Sequence, residues 1–237
     1  MAGQTIAPPP ASCDYTTSLP ASLGMMGNDS LGDCTCAALG HALQVWSENA
    51  NPPIDTEPDA NIISLYSDAC GYQGNAATDQ GGVEQDVLTY AMLSGIPVGA
   101  GGSQRHRITA FVEVDTRNLD DVKIAINDCG VCYIGFNVPS YLPMAPGTPW
   151  DVQPSVDFKI VGGHAVVLAG YNDATQMFKL ISWGAVYEMT YAFFQEFCDE
   201  AYAIADADWI RATGTSPGGL SIADLETQMS ALRESGN

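Results

Sequence analysis

Two cysteines and two histidines stand where a thiol nucleophile could be assembled. The stretch GMMGNDSLGDCTCAALGHALQVW, residues 24–46, carries Cys34, Cys36 and His41, and VGGHAVVLAGY further on carries His164. A cysteine nucleophile needs a thiol able to ionise, a nearby base and donors for the oxyanion. A thiol in the first turn of a helix is helped by the dipole and by unpaired backbone amides. Cys34 falls in such a turn. Cys36 is two residues deeper and points roughly 200° around the helix, so Cys34 is expected in a cleft and Cys36 in the core. His41 shares nearly the same face as Cys34 but lies two turns away, roughly 10 Å. That is too far for a base, and His41 is expected to be packed in the core. His164 opens a strand and is the candidate base; Gly162 and Gly163 before it would let another chain approach closely.

The elements that must position these groups follow from pattern. A helix is expected from about Gly32-Asp33 to Glu48, with Leu39, Leu43 and Trp46 at helical spacing and an acid in its first turn. NPPIDTEP reads as a breaker-rich loop. DANIISLYSDACGY reads as a second helix with Ile62, Ile63, Tyr66 and Cys70 inward, and GGVEQDVLTYAMLSG as a third. The next half changes character: ITAFVEVD alternates like a strand, NLDDVKIAINDCG is a short amphipathic helix, and VCYIGFNVP is a buried strand. GGHAVVLAGY and MFKLISWG flank Asn172-Asp173 as a hairpin. YAFFQEFCDEAYAI is a helix followed by a strand. Helices first and antiparallel strands after make an α+β layout in two lobes.

The ends differ from this domain. Residues 1–20, rich in Pro, Ser and Thr, read as an extended arm; residues 21–212 form the main domain. Residues 213–220 read as a flexible linker, and residues 221–235 as an amphipathic helix. Ser221 and Asp224 are spaced like a capping box, and Ile222, Leu225, Met229 and Leu232 line one stripe. One such helix is marginal alone, so it must dock, either on its own domain or on a partner.

Composition excludes several classes. An apolar content of 46% with 15% charged residues describes a globular chain with a sizeable core. Eight Lys and Arg against 28 acids give a net charge of −20, which repels phosphate backbones, so no nucleic-acid partner is expected. No apolar run approaches the roughly 18 residues of a membrane span, and no signal peptide is visible. Asp79 and Glu84 either line the cleft beside Cys34 or are surface acids. His106, between Arg105 and Arg107, reads as a solvated loop or a contact for an acidic partner. The pair Cys129 and Cys132 has redox spacing but follows a helix and enters a strand, so buried thiols are expected. Cys34 and Cys36 have the wrong spacing for a zinc knuckle, and no metal or cofactor is called for. Cys13, in the arm, is the candidate for an intermolecular disulfide.

Taken in order, these pieces resemble the papain-like cysteine peptidases across most of residues 24–210. The family's glutamine six residues before the cysteine, an oxyanion donor, is matched by Asn28 with the same amide on a shorter stem. The small residues of CTCAALGHAL, the glycine pair Gly81-Gly82 opening GGVEQDVLTYAM, HAVVLAGY around His164, and part of the SWG segment in ISWGAVYEMTY also match. The resemblance implies a two-lobed fold whose groove lies between helices and strands. Cys34 would attack a peptide or amide carbonyl, His164 would carry the proton, and Asn28 with the Cys34 amide would hold the oxyanion. Asp33, Gly81, Gly82 and Gly163 would line the cleft, with Trp183 shielding the histidine. Compact domains of this kind are also similar to proteins of bacteria and their phages, which would place the chain in a host cytoplasm or an assembled phage particle.

One departure divides the reading. The family's third catalytic residue, an asparagine before SWG, falls on Ile181. A hairpin centred between Asn172 and Asp173 would set Ile181 opposite His164, leaving a Cys-His dyad unless a group from elsewhere in the chain orients the ring. The chain is then either a thiol hydrolase or a catalytically silent structural component. The silent form would engage protein partners through residues 1–20 and 221–235.

Overall fold

The computed structural model describes residues 8–50 and 57–235. In chain order the elements are β1 (Ser12–Asp14), α1 (Cys34–Asn49), α2 (Asp59–Cys70), α3 (Glu84–Leu93), β2 (Ile96–Val98), β3 (Gln104–His106), β4 (Ala110–Glu113), α4 (Leu119–Cys129), β5 (Cys132–Pro139), β6 (Ile160–Asn172), β7 (Met177–Ser182), β8 (Ala185–Thr190), α5 (Tyr191–Phe197), β9 (Cys198–Ala205), α6 (Ala207–Thr213) and α7 (Ile222–Ser235). Most of the NPPIDTEP loop, residues 51–56, and the start of the arm, residues 1–7, lie outside the described residues.

The main sheet runs β4-β9-β5-β6-β7-β8, all antiparallel, with β1 added to β6. Strand β6 alternates faces with period two, and both faces are covered. Ala165, Val167 and Ala169 pack with Leu39, Leu43 and Trp46 of α1. Val166 and Leu168 pack on the other side with Phe136, Trp150, Phe178 and Phe193. Helix α1 is buried at every position from Thr35 to Trp46 because its small residues allow close approach. A Cβ on Gly40 would collide with the Met26 sulfur. This is the α+β, two-lobed architecture, with α1 wedged between the other helices and the sheet.

Local chemistry fixes the helix ends. Asn118 caps α4 by accepting from Asp120 N at 3.2 Å, Thr190 caps α5 from Phe193 N at 3.0 Å, and Ser221 caps α7 from Asp224 N at 3.2 Å. At α1 the expectation of an acid inside the first turn fails. Asp33 is the N-cap residue, and its side chain makes no cap hydrogen bond.

Among the described residues, parts of both terminal segments pack on the domain itself. Of the arm, β1 pairs with β6, with Cys13 opposite Tyr171. Cys13 is half-buried there, and burial pushes its thiol up to about 11. The 213–220 segment is a folded loop in which Ser216 is buried and its N–H donates to Leu220 O at 2.8 Å. It hands α7 back to the sheet, where Leu225, Met229 and Leu232 join the core beside Ala110 and Val112 of β4. Ile222 alone of the stripe stays exposed.

Candidate active site

Helix α1 presents Cys34 at its first residue, half-buried, while Cys36 has no exposure at all. Cys34 and His164 line one cavity of about 490 Å³ together with Gly81, Gly82, Gly163 and Phe136. The backbone N–H of Ala165, the residue after the histidine, lies near enough to the thiol to favour its ionised form. The candidate nucleophile and the candidate base thus face the same cleft.

The two glycines of the pair are required for different reasons, space at Gly82 and backbone conformation at Gly81. A Cβ on Gly82 would lie 2.6 Å from both Cys70 Sγ and Thr35 Oγ1, and Gly81 has φ +78°. Asp79 anchors this loop, accepting from Gly32 N at 2.9 Å and from the Tyr66 hydroxyl at 2.8 Å. Gly81 N in turn donates to the Tyr66 oxygen at 2.9 Å. Asp79 thus braces the loop beside Cys34, a role the sequence left undecided.

The third position needs correcting. Strand β7 leaves β6 through a four-residue loop, with Met177 paired to Asn172, and the ladder slips by one between Leu168 and Gly170. Ile181 therefore faces Val167 rather than His164, and it is buried in the core beside α1. The neighbour of the imidazole is Ser182, whose Oγ lies 2.8 Å from His164 Nε2. Ser182 belongs to the same ISWG run as Ile181, one residue further along β7.

A tight hairpin sets that contact. Ser182 pairs with Ala185 across a two-residue loop, Trp183-Gly184, with φ of 44° and 70°. Two positive φ values are what a type I′ turn requires. Tryptophan is an unusual occupant of left-handed backbone, and its ring contacts show what holds it there. It stacks on His164 with centroids 4.7 Å apart and planes 13° apart, and meets Trp150 edge-on at 5.9 Å. One face of the imidazole is therefore covered by the indole ring.

Electrostatics favour the uncharged forms of both reacting groups. Burial lowers the His164 pKa to about 4, with a smaller effect of His41 in the same direction. Burial raises the Cys34 thiol to about 11, and Glu84 and Asp33 add to that against the Ala165 amide. At neutral pH the proton rests on sulfur and the imidazole is a free base. If Nε2–H donates to Ser182 Oγ, Nδ1 is the basic nitrogen left to take a proton.

Two expected site residues lie elsewhere. Asn28 does not line the cavity; its amide donates to Leu31 O at 3.4 Å and to Asp33 Oδ1 at 3.3 Å. Asp33 has no exposure and sits behind the nucleophile, where burial raises its carboxyl to about 7. His41 is a core residue bonded through Nδ1 to Gln44 Oε1 at 2.8 Å. Cys129 and Cys132 are buried free thiols. His106 is no solvated loop residue. Its two ring nitrogens face separate carboxylates, Asp206 at 3.4 Å and Asp208 at 3.3 Å, and the three side chains lie close enough together to offer ligand atoms to one cation. Among the described residues, no helix is long and apolar enough to cross a membrane.

No protein-family model and no curated protein matches this chain. Solved structures do match it. Xylellain, a cysteine protease from Xylella fastidiosa, aligns over 86% of this chain and 91% of its own, with TM-score 0.66 and 18% identity. Digestive procathepsin L 3 of Tenebrio molitor larval midgut covers 84% and 71%, with TM-score 0.61 and 15% identity. The bromelain protease from Ananas comosus, in complex with the E64 inhibitor, covers 83% and 99%, with TM-score 0.60 and 13% identity. The chain has the papain-like fold.

Proposed function

We propose that the chain is a thiol hydrolase of peptide or amide bonds. The observation that carries this reading is one cavity holding Cys34 and His164, with the ring held by Ser182 and covered by Trp183. Cys34 attacks the carbonyl carbon as His164 takes the thiol proton, and the oxyanion forms at the start of α1 beside the Cys34 amide, which has no partner within the helix. His164 then returns the proton to the leaving amine, and water releases the acyl group from sulfur by the same relay. The solved proteases of this fold lend the reading their reaction class.

The rival, a silent structural component, drew on Ile181 and on two segments free to bind partners. Ser182 occupies the orienting position, and residues 12–14 and the α7 stripe pack on their own domain. Those features no longer favour it.

The test is alkylation of Cys34. A thiol titrating at about 11 and lacking a base exposes only roughly one part in 10⁴ as thiolate at pH 7. Cys34 is expected to react with iodoacetamide at neutral pH at least as fast as a small free thiol. His164→Ala should remove that enhancement. Alkylation at the background rate in the wild type, with no hydrolysis of fluorogenic peptide amides, overturns the reading.

A further inference from the structure

Part of the wall of the cavity is made of carboxylates. Glu84 opens α3, and Asp199 and Glu200 open β9; all three line the cavity. None of the eight Lys and Arg of the chain does.

The backbone is shaped to hold Glu84 there. A Cβ on Gly135 would fall 2.7 Å from Glu84 Oε1, so a side chain at that strand position would displace the carboxylate. Glycine weakens a strand interior, and here it opens the space Glu84 fills. In register, Gly135 faces Ala165 on one side and Glu200 on the other. The Glu84 carboxylate therefore sits over the sheet between Glu200 and the residue whose N–H lies near the Cys34 thiol. Its partners are fixed too: Asp199 accepts from Asn137 Nδ2 at 2.9 Å, and Glu200 accepts from the Tyr202 hydroxyl at 2.6 Å. Like charges held this close repel one another, and Glu84 is pushed up to about 7, by burial first and by Glu200 and Asp199 after it. A cation entering the cavity would relieve that repulsion.

We infer that the cleft selects substrates carrying a Lys or Arg side chain beside the scissile bond, with Glu84, Asp199 and Glu200 as the specificity-determining residues. The inference rests on the hydrolase reading for the word substrate, but the field it invokes can be measured without turnover.

The measurement uses two methanethiosulfonates of similar size on the full chain, one bearing a trimethylammonium group and one a sulfonate. Each forms a disulfide with Cys34 as the reagent's own S–S bond breaks; a sulfinate leaves with the electron pair, and the thiol proton passes to His164 or water. The rate ratio of cation to anion at Cys34, read by peptide mapping, is divided by the ratio for a small free thiol. One unit charge about 10 Å away at an effective dielectric constant near 20 gives about a tenfold effect. The corrected ratio is therefore expected to be at least about tenfold for the wild type. It should fall stepwise in D199N, E200Q and E84Q; Asp199 is exposed, so D199N leaves the core untouched. A corrected ratio near one, or one unmoved by all three variants, overturns the inference. Peptide amides with Arg, Leu or Glu flanking the bond separate the two claims. Hydrolysis without preference for Arg overturns the inference and leaves the hydrolase standing. Absence of any hydrolysis counts against the hydrolase alone, and the reagent ratio still decides the charge selectivity of the cleft.

Discussion

His164 Nε2 lies 2.8 Å from Ser182 Oγ, and both groups are buried. A hydroxyl can accept from Nε2–H and so fix the tautomer that leaves Nδ1 basic. In Ser182→Ala the buried N–H loses its partner, at a cost of roughly 1–3 kcal/mol. The expected outcome is a kcat lowered roughly 5- to 150-fold with KM little changed. Ser182→Thr, which keeps a hydroxyl, should recover part of the loss. An unchanged kcat in Ser182→Ala would remove the serine from the mechanism.

Ile181 makes the complementary case. It faces Val167 and is packed beside α1 with zero exposure. Ile181→Asn would install the residue type that the family resemblance calls for, yet at a core position away from the imidazole. Lost packing and an unpaired amide together should cost roughly 3–5 kcal/mol of stability. Denaturant unfolding should show that loss, and hydrolysis per folded molecule should not rise. A gain in turnover would mean that residue 181 reaches the histidine after all.

The contrast between these neighbours shows where sequence reasoning reached and where it stopped. Cys34 could be chosen over Cys36 because helical geometry sends residues two apart to different sides, and α1 begins within two residues of the expected start. His164 could be chosen over His41 by distance along a helix. Ser182 could not be found, because a strand partner depends on loop length and bulges rather than on local pattern. The loop was read as two residues about Asn172-Asp173, whereas it spans four, with Ala174 N donating to Asn172 Oδ1 at 2.9 Å and Gln176 at φ 54°. With the slip between Leu168 and Gly170, that moved the partner of Ile181 from residue 164 to residue 167. Asn172 bonding its own backbone two residues on is a turn signal that was legible in principle.

Trp183 should set the acid limit of activity. Its ring covers His164, and burial is the main cause of an imidazole pKa near 4. Because the pKa is lowered, the neutral base persists as pH falls, and the acid limb of kcat/KM is expected near pH 4 rather than near the ordinary value of about 6.5. Trp183→Ala admits water to the ring and should move that limb upward toward 6.5, the ordinary imidazole value. The wild-type and variant pH profiles, taken on an uncharged substrate, check this. A wild-type limb between 6 and 7 would show that the ring is not effectively desolvated.

The C-terminal helix yields the last prediction. Leu225, Met229 and Leu232 are 5%, 5% and 1% exposed, so the stripe is buried within the chain's own core. Truncating a buried Leu or Met to Ala typically costs roughly 2–5 kcal/mol. Leu232→Ala, the most buried of the three, should cost about 2–3 kcal/mol, because a helix near the end of the chain can relax around the gap. Ile222→Ala, at an exposed position on the same stripe, should cost well under 1 kcal/mol. Thermal unfolding of the two variants measures the difference. If the helix instead existed to dock on another molecule, the stability of the isolated chain would be indifferent to Leu232→Ala, and equal melting temperatures for the two variants would establish that.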